Sequence, residues 1–345
     1  MKNIFYLTVL MATLYSCKTD FEINAAYKKI PIIYGVLDQS VDTQFIKINK
    51  SFLGTNNSAY SSVNDSMYFD DVTVRIEELD DDENVLRLFS LQEKFVPVPP
   101  GSGIFFTGQQ KVYYFTDILD ETKEYKIVGE GDGQPFSATT NLIADFGFEL
   151  SFKNGLQSPR GIGWYNSGVY SEVVPKWRQS DDGEVYDATV RFNYTEYRNG
   201  IATPLSVDWY MGSVNSTGSG TLSIKSDAES FFAFLSNSTI LQDTIGVTKR
   251  VIGKIEFRIT SINQILETYI DINKPNNAIA FDKPDYTNIE GGRGIFGSRY
   301  TSIITSNQEF NDKTTEHLCF GSYTGDFKFC SNNNRYNTEA YYCPW

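Results

Sequence analysis

Alternation of apolar and polar side chains is the feature that most constrains the fold of this chain. Residues 185–197 alternate in this way, with Tyr186, Val190 and Tyr194 among the apolar positions, and residues 72–77 repeat the pattern. Successive side chains of a strand point to opposite faces, so a period of two predicts strands with one buried face. The 25 Phe and 22 Tyr residues also suit strands. We therefore predict a mainly β protein.

Residues 29–145 contain short apolar runs separated by turn residues. Strands are predicted at residues 30–37 and 43–50, and the Asn- and Ser-rich residues 51–68 are predicted to form an exposed loop. Residues 96–101 contain three prolines and are assigned to a crossing loop, because proline cannot donate to a sheet. Roughly seven or eight short strands in this length predict an immunoglobulin-like β-sandwich.

The acidic run at residues 80–84 lies between two of these strands and has two interpretations. The simpler one is a hairpin with a charged tip. The alternative is a calcium-binding loop, although the run lacks the glycine and the distal glutamate of an EF-hand. The single histidine of the chain, His317, argues against sites built on histidine. We predict no metal site and no catalytic triad.

Residues 146–310 are predicted to form a second, antiparallel β-rich domain with two packed helices. The first helix follows Ser226, and Glu229 three residues later completes a capping box. The second helix begins near Ser261, and Pro275 lies just beyond its end. Residues 311–345 are predicted to form a C-terminal tail that carries cysteines. The strands of this second part are expected at residues 146–152, 185–197, 205–211 and 251–260.

The start of the chain has the parts of a secretory signal peptide. Lys2 precedes an apolar run at residues 4–11, which is too short for a membrane span of roughly 20 residues. The sequence Leu14-Tyr15-Ser16-Cys17 then resembles the lipobox of bacterial lipoproteins. The resemblance implies that the signal peptide at 1–16 is removed, that Cys17 is lipidated, and that residues 17–28 form a tether. A plain signal peptide with a chance cysteine is the alternative.

Lys18, Asp20 and Glu22 follow this cysteine. A lysine with nearby acidic residues at this place resembles the surface-export signal of Bacteroidetes-type lipoproteins. The resemblance implies a lipid anchor in the outer membrane and a body that faces outward; a periplasm-facing lipoprotein is the alternative. Burial of acyl chains contributes about 0.8 kcal/mol per CH₂, so several chains, such as palmitate, would hold the protein stably.

The net charge of −13, from 30 Lys and Arg against 43 Asp and Glu, restricts the partners. An acidic body repels the phosphates of nucleic acids and of anionic lipids. We therefore expect no nucleic-acid partner. The expected partners are the membrane, through Cys17, and either an outer-membrane receptor or an extracellular glycan or peptide ligand.

Cys319, Cys330 and Cys343 would lie outside the reducing cytosol, where disulfides persist. Three thiols allow one bridge and leave one cysteine over. Cys319–Cys330 closes the shorter loop, whereas Cys330–Cys343 pins the chain terminus. One alternative is a Cys₃His zinc site with His317, although its spacing fits no standard zinc finger. The other alternative is that all three thiols stay free.

Residues 292–297 match the pattern G-x-G-x-x-G without its usual context. A dinucleotide site needs a preceding strand and a following helix, whereas β-branched residues follow here. We predict no cofactor and interpret Gly291, Gly292, Gly294 and Gly297 as a structural Gly-rich turn. No G-x-S-x-G, H-E-x-x-H or Walker motif occurs in the sequence, and no catalytic residue is assigned.

The segment from Tyr286 to Gly297, together with the lipobox, resembles a family of Bacteroidetes-type outer-membrane lipoproteins of unknown function. Its members carry a lipobox, a sandwich-like N-terminal half, this Gly-rich element and often cysteines near the end. They are often encoded beside TonB-dependent receptors. The resemblance implies a surface lipoprotein, and no functional residue can be carried over from it.

We therefore expect a non-enzymatic cell-envelope lipoprotein that binds a ligand or a protein partner. One such role would be that of an accessory to a TonB-dependent receptor. The alternatives are a carbohydrate-active enzyme, which needs only two carboxylates, and a structural or adhesive surface protein. One group of aromatic residues could form a sugar-stacking surface, but strand core is the favoured interpretation. These are Trp164, Tyr165, Tyr170, Trp177, Trp209 and Tyr210.

Overall fold

The computed structural model describes residues 28–51, 67–98, 108–149, 161–274, 285–305 and 309–343. Strands predominate in these ranges, which confirms the mainly β fold. Several predictions concern residues outside the described part of the chain. These are the signal peptide at 1–16, the lipidated Cys17 with nearly all of its tether, most of the loop at 51–68, residues 99–101 and Pro275.

The N-terminal half is a sandwich of two sheets. Its strands are β1 (Pro31–Asp38), β2 (Thr43–Lys50), β3 (Val72–Leu79), β4 (Val85–Ser90), β5 (Gln92–Val98), β6 (Gly108–Thr116), β7 (Glu124–Gly131) and β8 (Gln134–Asn141). One sheet has the strand order β4-β3-β7-β8, and β1, β2, β6 and β5 form the facing layer as part of a larger sheet. Tyr125 and Ile127 alternate with more exposed residues along β7 and share one core with Ile33 and Ile46 of the facing layer.

The C-terminal half is built on three long antiparallel strands, which are β13 (Val185–Arg198), β14 (Ile201–Asn215) and β17 (Val247–Ile262). Every second residue of β13 is buried from Tyr186 to Glu196, as the alternation predicts. The elements are β9 (Tyr165–Asn166), β10 (Val169–Tyr170), β11 (Glu172–Val173), β12 (Lys176–Arg178), β13 (Val185–Arg198), β14 (Ile201–Asn215), β15 (Thr221–Ser223), β16 (Ser226–Asp227), helices α1 (Ala228–Ser236) and α2 (Thr239–Gln242), β17 (Val247–Ile262), helix α3 (Gln264–Asn273), β18 (Arg293–Thr305), helix α4 (Asp312–Phe320) and β19 (Phe329–Cys330).

Strand β18 joins the two halves. It lies between β17 and β1 in a sheet of order β14-β13-β17-β18-β1-β2-β6-β5, and β19 pairs with β17 beside this path. Residues 293–299 of β18 run parallel to β1, and residues 299–305 run antiparallel to β17. Arg299 lies where the strand changes partners, and its Nε is 2.7 Å from Oδ2 of Asp38. The domains predicted at 29–145 and 146–310 therefore share one sheet.

The predicted Gly-rich turn is a turn only in part. Gly291 lies in a turn with a φ of +71°, but Gly292 directly precedes β18, and Gly294 and Gly297 lie within it. Gly294 has a φ of +104°, and a Cβ there would lie 1.9 Å from the carbonyl oxygen of Ile33 on β1. Glycine at this position therefore allows the two halves to approach at backbone distance. Residues 293–297 of the motif lie within strand β18, where a dinucleotide site would require the motif to open a helix.

The segment predicted as a tail contributes to the core over its described residues, 311–343. Leu318 and Cys319 of α4 are buried in the same cluster as Phe231 of α1. The buried Thr314 accepts hydrogen bonds through Oγ1 from the backbone N–H of Trp164, at 2.9 Å. Because its polar groups are satisfied in this way, a helix of low apolar content is buried on one side.

Helix boundaries differ slightly from the prediction. The side chain of Asp227, not that of Ser226, caps α1 by accepting from the backbone N–H of Glu229 at 2.8 Å. Helix α3 begins at Gln264 rather than near Ser261, because β17 continues to Ile262 and Asn263 supplies the cap. The helices α2 and α4 were not predicted.

Two strand predictions also need correction. Strand β5 includes Pro97, which was assigned to a loop; β5 is an edge strand, where a missing donor is tolerated. Residues 146–149 form no strand, although 146–152 was predicted as one. Phe148 makes only an isolated bridge to Trp177 there, and residues 150–152 lie outside the described ranges.

Candidate functional site

Most of the aromatic residues considered as a sugar-stacking surface belong to the core. The ring of Trp164, for example, packs edge-on against Phe231 with their centroids 4.9 Å apart. Such contacts stabilise the core of the C-terminal half and leave few of these rings for a ligand. Trp164, Trp177 and Trp209 are buried, Tyr165 and Tyr170 are half-buried, and Tyr210 is exposed.

The structure joins Cys330 to Cys343 in a disulfide, with their Cα atoms 4.9 Å apart. This is one of the two pairings considered from the sequence. Cys319 remains a free thiol, and burial raises its pKa to about 12. The zinc alternative is wrong in this structure, because two of its four ligands are bonded to each other. Among the residues that the structure describes, no group of His, Cys, Asp and Glu could hold a metal ion.

His317 is packed among aromatic rings. Its ring stacks on Tyr165 with the centroids 3.7 Å apart, and its Nε2 lies 2.9 Å from the hydroxyl oxygen of Tyr170. Burial lowers the pKa of the imidazole below its ordinary value, so the ring is neutral at pH 7. The environment of His317 is therefore that of a core side chain.

Two adjoining cavities form a groove between the two halves, which we call the junction groove. Their volumes are about 540 and 250 Å³, and both are lined by Glu124, Asn141 and Asp182. Lys123 is the basic residue among the described residues of the lining. The groove should therefore repel anions and attract cations. Its acidic residues are Asp80, Asp81, Glu83, Glu121, Glu124, Asp181, Asp182 and Glu184.

Two carboxylates of the junction groove are perturbed in opposite directions. The backbone N–H of Asn84 donates to Oδ1 of Asp80 at 2.8 Å, and this bond lowers the pKa of Asp80. The acidic run at 80–84 is therefore the charged hairpin tip, with its first carboxylate engaged by the turn. Burial, with a smaller contribution from Asp181, raises the pKa of Asp182.

A second hollow lies where the C-terminal ends of three helices meet, and we call it the C-terminal pocket. Its volume of about 580 Å³ is within the range of roughly 300–1,000 Å³ for small-molecule sites. Phe320, the last residue of α4, is 58% exposed, whereas Leu318 and Cys319 before it are buried. The pocket is lined by Ser236, Gln242, Phe320, Gly321, Ser322, Tyr323, Gly325, Asp326 and Phe327.

The buried Arg250 of β17 anchors the backbone of two segments that contribute to this pocket. Its Nη1 donates to the carbonyl oxygens of Leu241, at 2.7 Å, and Phe327, at 3.1 Å. Its Nη2 donates to the carbonyl oxygen of Asp243, and its Nε donates to Glu196 at 2.9 Å. One guanidinium, with its planar set of donors, thus ties the end of α2 and the turn at 325–327 to the central sheet.

Further hydrogen bonds fix the loop that forms the pocket wall. Thr324 Oγ1 donates to the carbonyl oxygen of Leu318 at 2.7 Å, and the hydroxyl of Tyr323 donates to Glu229 at 2.8 Å. Lys328, in the left-handed region with a φ of +62°, anchors the loop at its far end. The pocket is therefore pre-organised, and a ligand would lose little affinity to ordering of its walls.

Sequence reasoning singled out no residue of this pocket. Residues 320–327 mix aromatic residues with Gly, Ser, Thr and Asp, a composition typical of turns. That signal could have identified the loop. It could not show that Phe320 faces solvent, because burial of this ring depends on contacts between distant parts of the chain.

Comparison with models of protein families gives no match, and comparison with curated proteins gives none either. The resemblance to surface lipoproteins therefore remains a prediction. Among the described residues, no helix is both long and apolar enough to cross a membrane.

Proposed function

We propose that the protein is a lipid-anchored outer-membrane protein of the cell surface that binds a ligand or partner and catalyses no reaction. The observation that carries the proposal is Leu14-Tyr15-Ser16-Cys17 directly after the apolar run at residues 4–11. An ordinary signal peptide has no need of a thiol at this position. Acylation of Cys17 would hold the body at the membrane through several acyl chains.

The form of the body supports a binding role. One continuous sheet joins both halves, and the C-terminal pocket has walls that are fixed by Arg250 and by the hydrogen bonds of its loop. Binding sites are commonly concave, largely pre-formed and supplied with a few placed polar groups. The two hollows count against a purely structural or adhesive role. The accessory role beside a TonB-dependent receptor rests on the family resemblance.

One observation favours the carbohydrate-active alternative. Asp182 lies in a groove beside other carboxylates and has a raised pKa, and glycosidases use one such carboxyl as the general acid. No aromatic side chain lines this groove in the described part of the chain, so a stacking wall for sugar rings is missing there. Release of reducing sugar that disappears in Asp182→Asn would establish this alternative.

The proposal is tested on intact cells. Externally added protease should degrade the protein while a periplasmic marker survives, and the protein purified from solubilised membranes should bring a receptor or a ligand with it. Protection from the protease in cells whose surface proteins are digested would contradict the surface location. Repeated purification with neither receptor nor ligand would contradict the binding role.

A further inference from the structure

We propose that the C-terminal pocket binds a neutral sugar ring of a glycan. This inference rests on the proposed binding function and names its site and ligand class. The first argument is the exposed ring of Phe320, with the half-buried Tyr323 in the same wall. An aromatic side chain offers a rigid apolar surface with a partly negative face. A pyranose has a face of C–H groups that can pack on such a ring.

Single exposed apolar residues are common, so the position of Phe320 matters more than its exposure. The ring lies in a concave pocket whose other side chains are mainly polar. Ser236 and Ser322 carry hydroxyls, Gln242 carries an amide, and Asp326 carries a carboxylate. Hydroxyl and amide groups both donate and accept, and a carboxylate accepts at two oxygens. Such a set matches the neighbouring hydroxyls of a sugar, each of which also donates and accepts.

The lining disfavours other ligand classes. It contains no Lys or Arg among the described residues, and Asp326 would repel a phosphate, a sulfate or an acidic sugar. A lipid or an apolar peptide would leave the polar groups of the pocket without partners, which is costly. An amine could pair with Asp326 and Phe320. The neutral groups of Ser236, Ser322 and Gln242 would then contribute little to binding. A neutral sugar would use more of the lining residues than an amine, so we favour the sugar.

The geometry also explains why the pocket is rigid. The hydroxyl of Tyr323 is held by Glu229 on α1, which fixes the orientation of the second ring. Arg250 acts as a positioning residue, since it bonds to the backbone at Leu241 and Phe327 and does not line the pocket. Sugars bind weakly unless the site is pre-organised, because their hydroxyls exchange water for protein at little net gain.

The test uses the full chain purified in detergent and titrated by calorimetry. The probes are malto-, cello-, xylo- and mannohexaose, with choline and inorganic phosphate as the charged alternatives. We expect saturable binding of at least one hexasaccharide and none of phosphate. Phe320→Ala should weaken that binding at least tenfold, and Ser322→Trp, which fills the pocket from an exposed position, should abolish it. Ile245→Ala is the matched control, because Ile245 is 84% exposed and lies outside the pocket.

Three outcomes would overturn the inference: no binding of any hexasaccharide, binding that Phe320→Ala and Ser322→Trp leave unchanged, or choline binding tighter than every sugar. Circular dichroism of both variants confirms that they are folded. These failures are separate from failure of the proposed function. A surface-exposed, lipidated protein that binds no sugar would refute the inference alone, whereas cleavage of a bound hexasaccharide would refute the non-enzymatic function.

Discussion

Arg250 provides the most demanding test of how the C-terminal half is held together. Its side chain is fully buried, and its partner Glu196 is 7% exposed. Arg250→Ala would leave this buried carboxylate paired with Arg198 alone of its two arginines and would remove donors from the carbonyl oxygens of Leu241, Asp243 and Phe327. Removal of one partner of a buried ion pair costs about 3–5 kcal/mol. We expect a loss of about 4 kcal/mol in the free energy of unfolding.

The measurement is urea unfolding followed by tryptophan fluorescence. Trp164 and Trp209 lie in the core cluster of the C-terminal half, so their fluorescence reports on its unfolding. Arg191→Ala is the matched control: Arg191 pairs with Asp208 at 2.7 Å on the surface, and such pairs contribute about 0–1 kcal/mol. A loss for Arg250→Ala that is no larger than the loss for Arg191→Ala would refute the reasoning.

The same pair predicts a dependence on pH. Burial raises the pKa of Glu196, but hydrogen bonds from Arg198 and Arg250 outweigh it, and the net shift is downward. A lowered pKa contributes stability that is present above the ordinary value of the carboxyl and is lost as the pH falls through the folded value. In Arg250→Ala one of these bonds is absent and the folded pKa is less depressed, so urea unfolding at a series of pH values should show a smaller contribution from Glu196, whose loss is complete at a higher pH than in the wild type.

Three further predictions address other parts of the fold. Gly294→Ala should lower the free energy of unfolding by at least about 3 kcal/mol, because a Cβ would overlap the backbone of β1 at a positive φ. Gly133 also has a positive φ but has nothing within 4 Å of its Cβ position, so Gly133→Ala should cost only about 1 kcal/mol. Equal losses in urea unfolding would contradict this prediction. Cys319 should resist iodoacetamide in the folded protein and react once urea unfolds it, so rapid alkylation without urea would show that the thiol is not buried. Asp132 should titrate at a pKa of about 2 by NMR, since Lys29 and two backbone N–H groups stabilise its carboxylate, and Lys29→Met should move that pKa upward.

The regular strands could be predicted from local pattern alone. Period-two alternation at residues 72–77 and 185–197 places β3 and β13 within a few residues of their observed bounds. The capping box at Ser226 and the proline that follows the second helix likewise place α1 and α3 within a few residues of their observed bounds. In β13 and α1 one face is buried against the rest of the protein, so the sequence carries the period of the structure.

Strand β18, which joins the halves, and helix α4 of the C-terminal half could not be predicted, because their signals depend on distant residues. Strand β18 begins with glycines that suggest a turn, and only the approach of β1 explains Gly294. Helix α4 has few apolar residues, and its burial depends on Thr314 bonding to the backbone at Trp164. Phe320 is exposed because helix α4 ends at this residue. The C-terminal pocket therefore could not be predicted from the local sequence.

Lipidation of Cys17 is the central claim of the proposed function, and mass spectrometry of the mature N-terminal peptide tests it most directly. The predicted result is a peptide that begins at Cys17 and carries diacylglycerol on sulfur and an acyl chain on the amine. Cys17→Ser should lack this mass and leave the membrane fraction. A mature chain that begins elsewhere, or an unmodified Cys17 in protein that still sediments with membranes, would contradict the lipid anchor.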